Sequence, residues 1–157
     1  MGKLAGLGFA CMLGIAALAA TGASAQDLVD GKDAEAIAAL LKGFGSARVE
    51  TDSDGDPRIA GRADGKPYKV HFYGCKENKD CTNIQFWAYW EGAVELEKVN
   101  EWNRDTRFGK LYVDADGDLV LEYDVNLIGG ISERTLEDDG DVWVTLLSRV
   151  ESGVLGR

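Results

Sequence analysis

YKVHFYGCKENKDCTNIQFWAYW, Tyr68 to Trp90, carries two cysteines around a charged pentapeptide, flanked on both sides by alternating apolar and polar residues. If Cys75 faces Cys81 across an antiparallel hairpin, the register of both strands follows. Phe72 then faces Ile84, Val70 faces Phe86 and Tyr68 faces Ala88, all on one side of the ribbon, which makes a core face. On the other side Lys69 meets Trp87, His71 meets Gln85 and Tyr73 meets Asn83. The alternation and the cysteine pairing select the same register, and that agreement is the main evidence for a Cys75–Cys81 disulfide.

The chemistry of the pair depends on its compartment. The chain opens MGKLAGLGFACMLGIAALAATGASAQD, where Lys3 is the only charge before Asp27 and the apolar run ends in Ala23-Ser24-Ala25. This is the pattern of a signal peptide over residues 1–25 with cleavage after Ala25. A membrane anchor is the alternative for a run of this length, but no stop-transfer charges follow it. Gly8-Phe9-Ala10 before Cys11 places a bulky Phe where a lipoprotein signal has a small residue, so Cys11 reads as part of the apolar run. Removing 25 of the 157 residues leaves residues 26–157, enough for a single domain with its own core. It also leaves two cysteines, and an even pair in an exported chain favours a disulfide. Such a bond closes a short loop and adds about 2–2.5 kcal/mol on the chain-entropy model. A periplasmic or secreted location with no stable membrane anchor follows from the same reading.

Charge narrows the partners. The chain has 17 Lys+Arg against 27 Asp+Glu, a net charge of −10, which becomes −11 when Lys3 is removed. Such a field repels nucleic acid and anionic membranes and leaves basic or neutral partners open, among them a protein or peptide.

Outward from the hairpin, the patterning predicts the order α-β-β-β-β-α-β-β-α. A helix over Ala34–Leu41 follows a plausible N-cap at Asp33, and a strand over 47–51 turns at Asp54-Gly55 into a second at 57–63. The hairpin strands at 67–74 and 82–90 lead into a helix over 94–103. Strands at 108–113 and 119–125 flank Asp116-Gly117, and a last helix is capped by Ser132. Its apolar stripe of Leu136, Trp143, Leu147 and Val150 includes Gly140, which either weakens the helix or permits close packing. The fold class is α+β, a mainly antiparallel sheet with helices packed on it. Asn103 is expected to end its helix in the left-handed conformation, with Arg104 and Arg107 serving the last carbonyls.

Chemistry is sparse. Zinc would need two ligands beyond the cysteines, and His71 is the only histidine. A thioredoxin-like pair would need a shorter spacing. The runs Asp52-Asp54-Asp56 and Asp114-Asp116-Asp118 resemble calcium loops but lack Gly at the sixth position and Glu at the twelfth. No nucleophile elbow or phosphate-binding glycine loop is present, so no catalytic residue, metal or cofactor is assigned. Close carboxylates will occur by chance among so many acids, which leaves a cell-envelope hydrolase as the alternative. The better candidate is the second hairpin face, with Lys69, His71, Tyr73, Trp87 and Tyr89. Either a helix of the same chain covers it, or it contacts a peptide, a protein or a second copy in a homodimer.

Two stretches, GRADGKPYKVHFYGCKENKDCTNIQFWAYW and LEKVNEWNRDTRFGKLYVDADGDLVLEYDVNLIGGISE, resemble the YbjN-domain family of bacteria. The most specific phrase is Val99 to Arg104 followed by Arg107-Phe108, and the likeness runs from about Asp56 into the last helix. The resemblance implies a domain similar to type III secretion chaperones with a sensory-transduction or regulatory role. It supplies no catalytic residues. Together these readings describe a small exported binding or chaperone-like module, not an enzyme.

The leader is tested by the intact mass of protein recovered from the periplasm. The expected species begins at Gln26; a periplasmic species retaining Met1 would refute the cleavage.

Overall fold

The hairpin register read from the cysteines is the one observed. In the computed structural model, which describes Gly2, residues 28–92 and residues 94–157, Phe72 pairs with Ile84, Val70 with Phe86 and Lys69 with Trp87. The leader expected over residues 1–25, with Cys11, lies outside the described residues.

The described chain runs β1 (Leu28–Val29), α1 (Ala34–Leu41), a 3-10 turn (Lys42–Phe44), β2 (Gly45–Thr51), β3 (Pro57–Ala63), β4 (Lys66–Tyr73) and β5 (Asn83–Trp90). It continues through α2 (Leu96–Asp105), β6 (Lys110–Val113), β7 (Leu119–Asn126), β8 (Ile131–Ser132), α3 (Glu133–Val150) and a terminal π turn (Glu151–Leu155). β2 to β7 form one antiparallel sheet in the order β2-β3-β4-β5-β7-β6. β1 and β8 make a separate two-stranded ribbon. This is an α+β fold whose element order follows the expected one, with the β1–β8 ribbon added.

The core lies on one face of the sheet. Tyr68, Val70, Phe72, Ile84, Phe86 and Ala88 are buried there with Leu119, Leu121 and Val125 of β7. Trp143 of α3 closes over them, its ring 6.2 Å from Tyr68 and 5.5 Å from Phe86. Fully burying a large apolar side chain contributes about 1.5–3 kcal/mol, so these rings help hold α3 on the sheet together with Leu136, Leu146, Leu147 and Val150 of the same helix. α1 adds Ile37, Ala38 and Leu41 to the same layer. Both helices start where their caps dictate: Ala36 N donates to Asp33 Oδ1 (3.0 Å) and Thr135 N to Ser132 Oγ (3.1 Å).

α2 differs from expectation at its end. It continues to Asp105, and Thr106 is extended with φ −118. Asn103 does not close it; its amide instead receives Leu111 N–H (3.0 Å) and donates to Leu111 O (2.8 Å), acting as a surrogate strand residue beside β6. Arg104 pairs with Asp105 rather than with helix carbonyls. The sequence phrase around Trp102 therefore docks α2 on β6, with Trp102 buried beside Gly109.

The two Asp-rich turns are one device used twice. Asp52 Oδ1 accepts from the N–H groups of Asp54 and Asp56, each 2.9 Å away. Asp114 Oδ1 accepts from Asp116 (3.0 Å) and Asp118 (2.9 Å) in the same way. Gly55 and Gly117 supply the positive φ, 92 and 89, that three-residue hairpin loops require. One carboxylate oxygen of each leading aspartate is thereby spent on its own backbone.

Gly140 proves to be a close-packing position. A methyl group there would come within 2.3 Å of Phe44 Cε2, so the 3-10 turn after α1 sits directly on α3. Gly140→Ala gains up to about 1 kcal/mol of helix propensity but displaces Phe44, at a cost of about 1–3 kcal/mol for overpacking. Thermal melts should show Gly140→Ala destabilising in the wild-type chain and stabilising in a Phe44→Ala background. Stabilisation in both would remove Phe44 as the reason for the glycine.

Candidate functional site

The disulfide lies at the end of the β4–β5 hairpin. Cys75 and Cys81 are bonded, with their Cα atoms 3.8 Å apart. Beyond them Lys76 and Lys79 exchange backbone hydrogen bonds of 2.7 and 3.1 Å around Glu77 and Asn78. Both of those residues have positive φ, 50 and 60, as a two-residue type I′ turn demands. The short loop between the cysteines is thus a tight turn, and the disulfide closes it. Cys81 is buried, and its N–H donates to Gly31 O at 3.0 Å. A methyl group on Gly31 would fall 1.9 Å from Cys81 O, so only glycine allows the segment before α1 to lie against the bridge. The bond fixes the hairpin tip and seats it on the chain's first described segment.

The face opposite the core carries the predicted strip. Lys69, His71 and Trp87 are half-buried, while Tyr73 and Tyr89 are exposed at 47% and 45%. These side chains touch one another. Lys69 Nζ stands 5.1 Å from the Trp87 ring centre, Trp87 lies 5.1 Å from Tyr89, and His71 meets Trp87 edge-on at 6.0 Å. Tyr73 continues the row, 6.4 Å from His71. The half-burial of Trp87 comes from these neighbours on its own sheet; α3 and α1 pack on the other side.

Four contributors lie beyond the hairpin. β7 pairs Tyr89 with Val120 and Trp87 with Glu122, and β6 brings Tyr112 and Lys110 to the same two residues. Val120 points away from the core and is still buried, because Tyr89 and Tyr112 flank it. Glu122 accepts from the Tyr112 hydroxyl (2.7 Å) and from Lys110 Nζ (2.8 Å). Burial, reinforced by Glu122, pushes the Tyr112 hydroxyl up to about 12. No sequence signal placed β7 beside β5, since α2 and β6 intervene along the chain.

On the β2–β4 side of the strip the sheet forms a shallow groove of about 320 Å³. Arg48, Arg62, Pro67, Lys69, Trp87 and Tyr89 are among the residues that line it, with Trp87 and Tyr89 on the β5 side. Arg48 pairs with Glu50, and Arg62 donates to Gly65 O at 2.7 Å. Arg62 and Lys69 have no carboxylate within ion-pair distance among the described residues.

Carboxylate chemistry has one conspicuous candidate elsewhere. The Tyr123 hydroxyl donates to Asp139 Oδ1 at 2.5 Å, tying α3 to β7. Burial holds the Asp139 carboxyl above its ordinary range, partly opposed by the Tyr123 hydrogen bond. A general acid–base pair needs a second group poised against it. Asp139 makes no hydrogen bond to another acid among the described residues. Among those residues, no group of three or more metal-ligating side chains occurs, and no helix is long and apolar enough to cross a membrane.

His71 gives the strip a titration that can be read directly, because it is the only histidine. Burial lowers its pKa from 6.5, and Lys69 and Arg58 lower it further. The folded chain then binds fewer protons than the unfolded chain near that pH, so the His71 contribution to stability is present above 6.5 and lost as pH falls through the lowered midpoint. A proton NMR titration should place the imidazole midpoint below 6.5, and Lys69→Gln should move it upward. A midpoint above 6.5 would contradict the burial and cationic surroundings described here.

A family model described as YbjN, putative bacterial sensory transduction regulator, matches residues 33–155. No curated protein matches the chain. The matched span reaches from the α1 cap to the end of the π turn and includes the disulfide hairpin, the aromatic strip and the Trp102 phrase. The chain belongs to the YbjN family.

Proposed function

We propose that the chain is a small exported regulatory module, a single domain over residues 26–157, which binds a protein or peptide through the open face of its sheet. The observation that carries this reading is the row Tyr73, His71, Trp87 and Tyr89, with Lys69 over Trp87, on a face that the chain's own described helices do not cover. Aromatic side chains offer large rigid areas with polar tips and supply much of the energy at protein interfaces. Holding them in mutual contact lowers the entropy lost on binding. The regulator description of the family agrees with a binding role rather than turnover. The disulfide agrees with an oxidising compartment, where such bonds persist.

Trp87→Ala tests the reading. Its loss removes cross-strand contacts worth about 0.2–1 kcal/mol each, so the melting temperature should change little. Capture of a specific partner from envelope extract, or self-association seen by sedimentation, should weaken about tenfold or more, as for an interface tryptophan. Unfolding of the Trp87→Ala chain, or association unchanged by it, would show that the strip is structural.

A further inference from the structure

The groove beside the strip differs in charge from the rest of the molecule. The chain carries 27 acidic side chains and a net charge of −10, yet no carboxylate lines this groove. Three cations do: Arg48 from β2, Arg62 from β3 and Lys69 from β4. They come from three adjacent strands of the meander and share the groove with Trp87 and Tyr89 of β5. We propose that this groove binds an acidic peptide segment in extended form, its carboxylates on Arg48, Arg62 and Lys69 and an apolar side chain against Trp87 and Tyr89. The proposal rests on the open face being the contact surface, and adds the chemistry of what it contacts.

Four features favour that occupant. Arg62 and Lys69 lack carboxylate partners of their own among the described residues, so an incoming acid pairs with these two without displacing an existing partner, and shares Arg48 with Glu50. Arg62 is held by Gly65 O (2.7 Å), which fixes its guanidinium near the groove at little further entropic cost. The groove spans β2 to β5, three interstrand steps or about 14 Å, the length of about four extended residues. Its lining has no amide or carboxylate side chain of the kind that satisfies the hydroxyls of a sugar; its neutral polar groups are the hydroxyls of Ser46, Tyr68 and Tyr89 and the Trp87 indole N–H. Two mature chains, each at −11 without Lys3, repel one another more strongly than one chain repels a short acidic peptide. The surrounding acidic field also makes the preference specific, because a basic peptide drawn to the protein is turned away at this groove.

Fluorescence anisotropy on the intact protein tests the inference. The probe is a labelled nonapeptide with glutamates on both sides of a central phenylalanine, compared with the same peptide carrying lysines. The acidic peptide should bind at least about tenfold tighter than the basic one, and more weakly in about 300 mM than in about 50 mM salt. Arg62→Glu and Lys69→Glu should each weaken it about tenfold or more with unchanged melting temperatures, while Arg62→Lys retains most of the binding. Equal binding of the two peptides, or affinity indifferent to Arg62→Glu, would overturn the proposal. So would preference for an oligouronate of the same charge, or dimerisation abolished by the same substitution. If Trp87→Ala weakens both peptides alike, the contact surface survives and its acidic preference falls; if Trp87→Ala changes neither, both fail.

Discussion

Everything on both faces of this sheet depends on the pairing of β4 with β5. In an antiparallel ribbon a slip of one residue exchanges the two faces. With Lys69 opposite Trp87 and Phe72 opposite Ile84, Tyr68, Val70, Phe72, Ile84, Phe86 and Ala88 face the core, and Lys69, His71, Tyr73, Trp87 and Tyr89 build the row on the other face. The Cys75–Cys81 bond and the I′ turn at Glu77-Asn78 sit at the one end where a slip would begin. Their effect is to make the alternative register a broken bridge and a strained turn. α3 reads the result: Trp143 packs where Tyr68 and Phe86 emerge together. The opposite face carries the row of Tyr73, His71, Trp87 and Tyr89.

That face is also divided by charge. Toward β6 and β7 the acid Glu122 is neutralised from two sides, by Lys110 and by the Tyr112 hydroxyl. Toward β2 and β3 the cations outnumber their partners, and the one carboxylate between them, Glu50, is shared by Arg48 and Arg58. The hydrogen bond from Arg58 holds Glu50 below the usual carboxylate range. A chain with such an acidic balance therefore presents a local basic and aromatic surface. Charge distribution, more than net charge, governs which partner approaches which side.

Local signals made most of the framework legible. The start of α1 followed from Asp33, and the turn from β2 into β3 from Asp54-Gly55. The hairpin register was legible because two independent patterns, cysteine spacing and apolar alternation, pointed to one pairing. Long-range pairing was not. β7 reaches β5 past α2 and β6, so Val120, Glu122 and Tyr112 join the strip with no mark in their own sequence. The pairing of Asn103 with Leu111 looked from sequence like a helix end, because a side-chain amide imitating a strand has no periodicity. Gly140 was visible as an anomaly, but only the position of Phe44 gave it a reason. The groove escaped notice because its cations lie on three strands and converge only in the folded sheet.

Hydroxyl-radical footprinting of the purified monomer, read by mass spectrometry, bears most directly on whether the second face is open. Tyr73, Trp87 and Tyr89 should be oxidised readily while Trp143 stays protected, and saturating acidic peptide should shield Trp87 and Tyr89 but not Tyr73. Protection of Trp87 equal to that of Trp143 in the isolated monomer would contradict an open aromatic face.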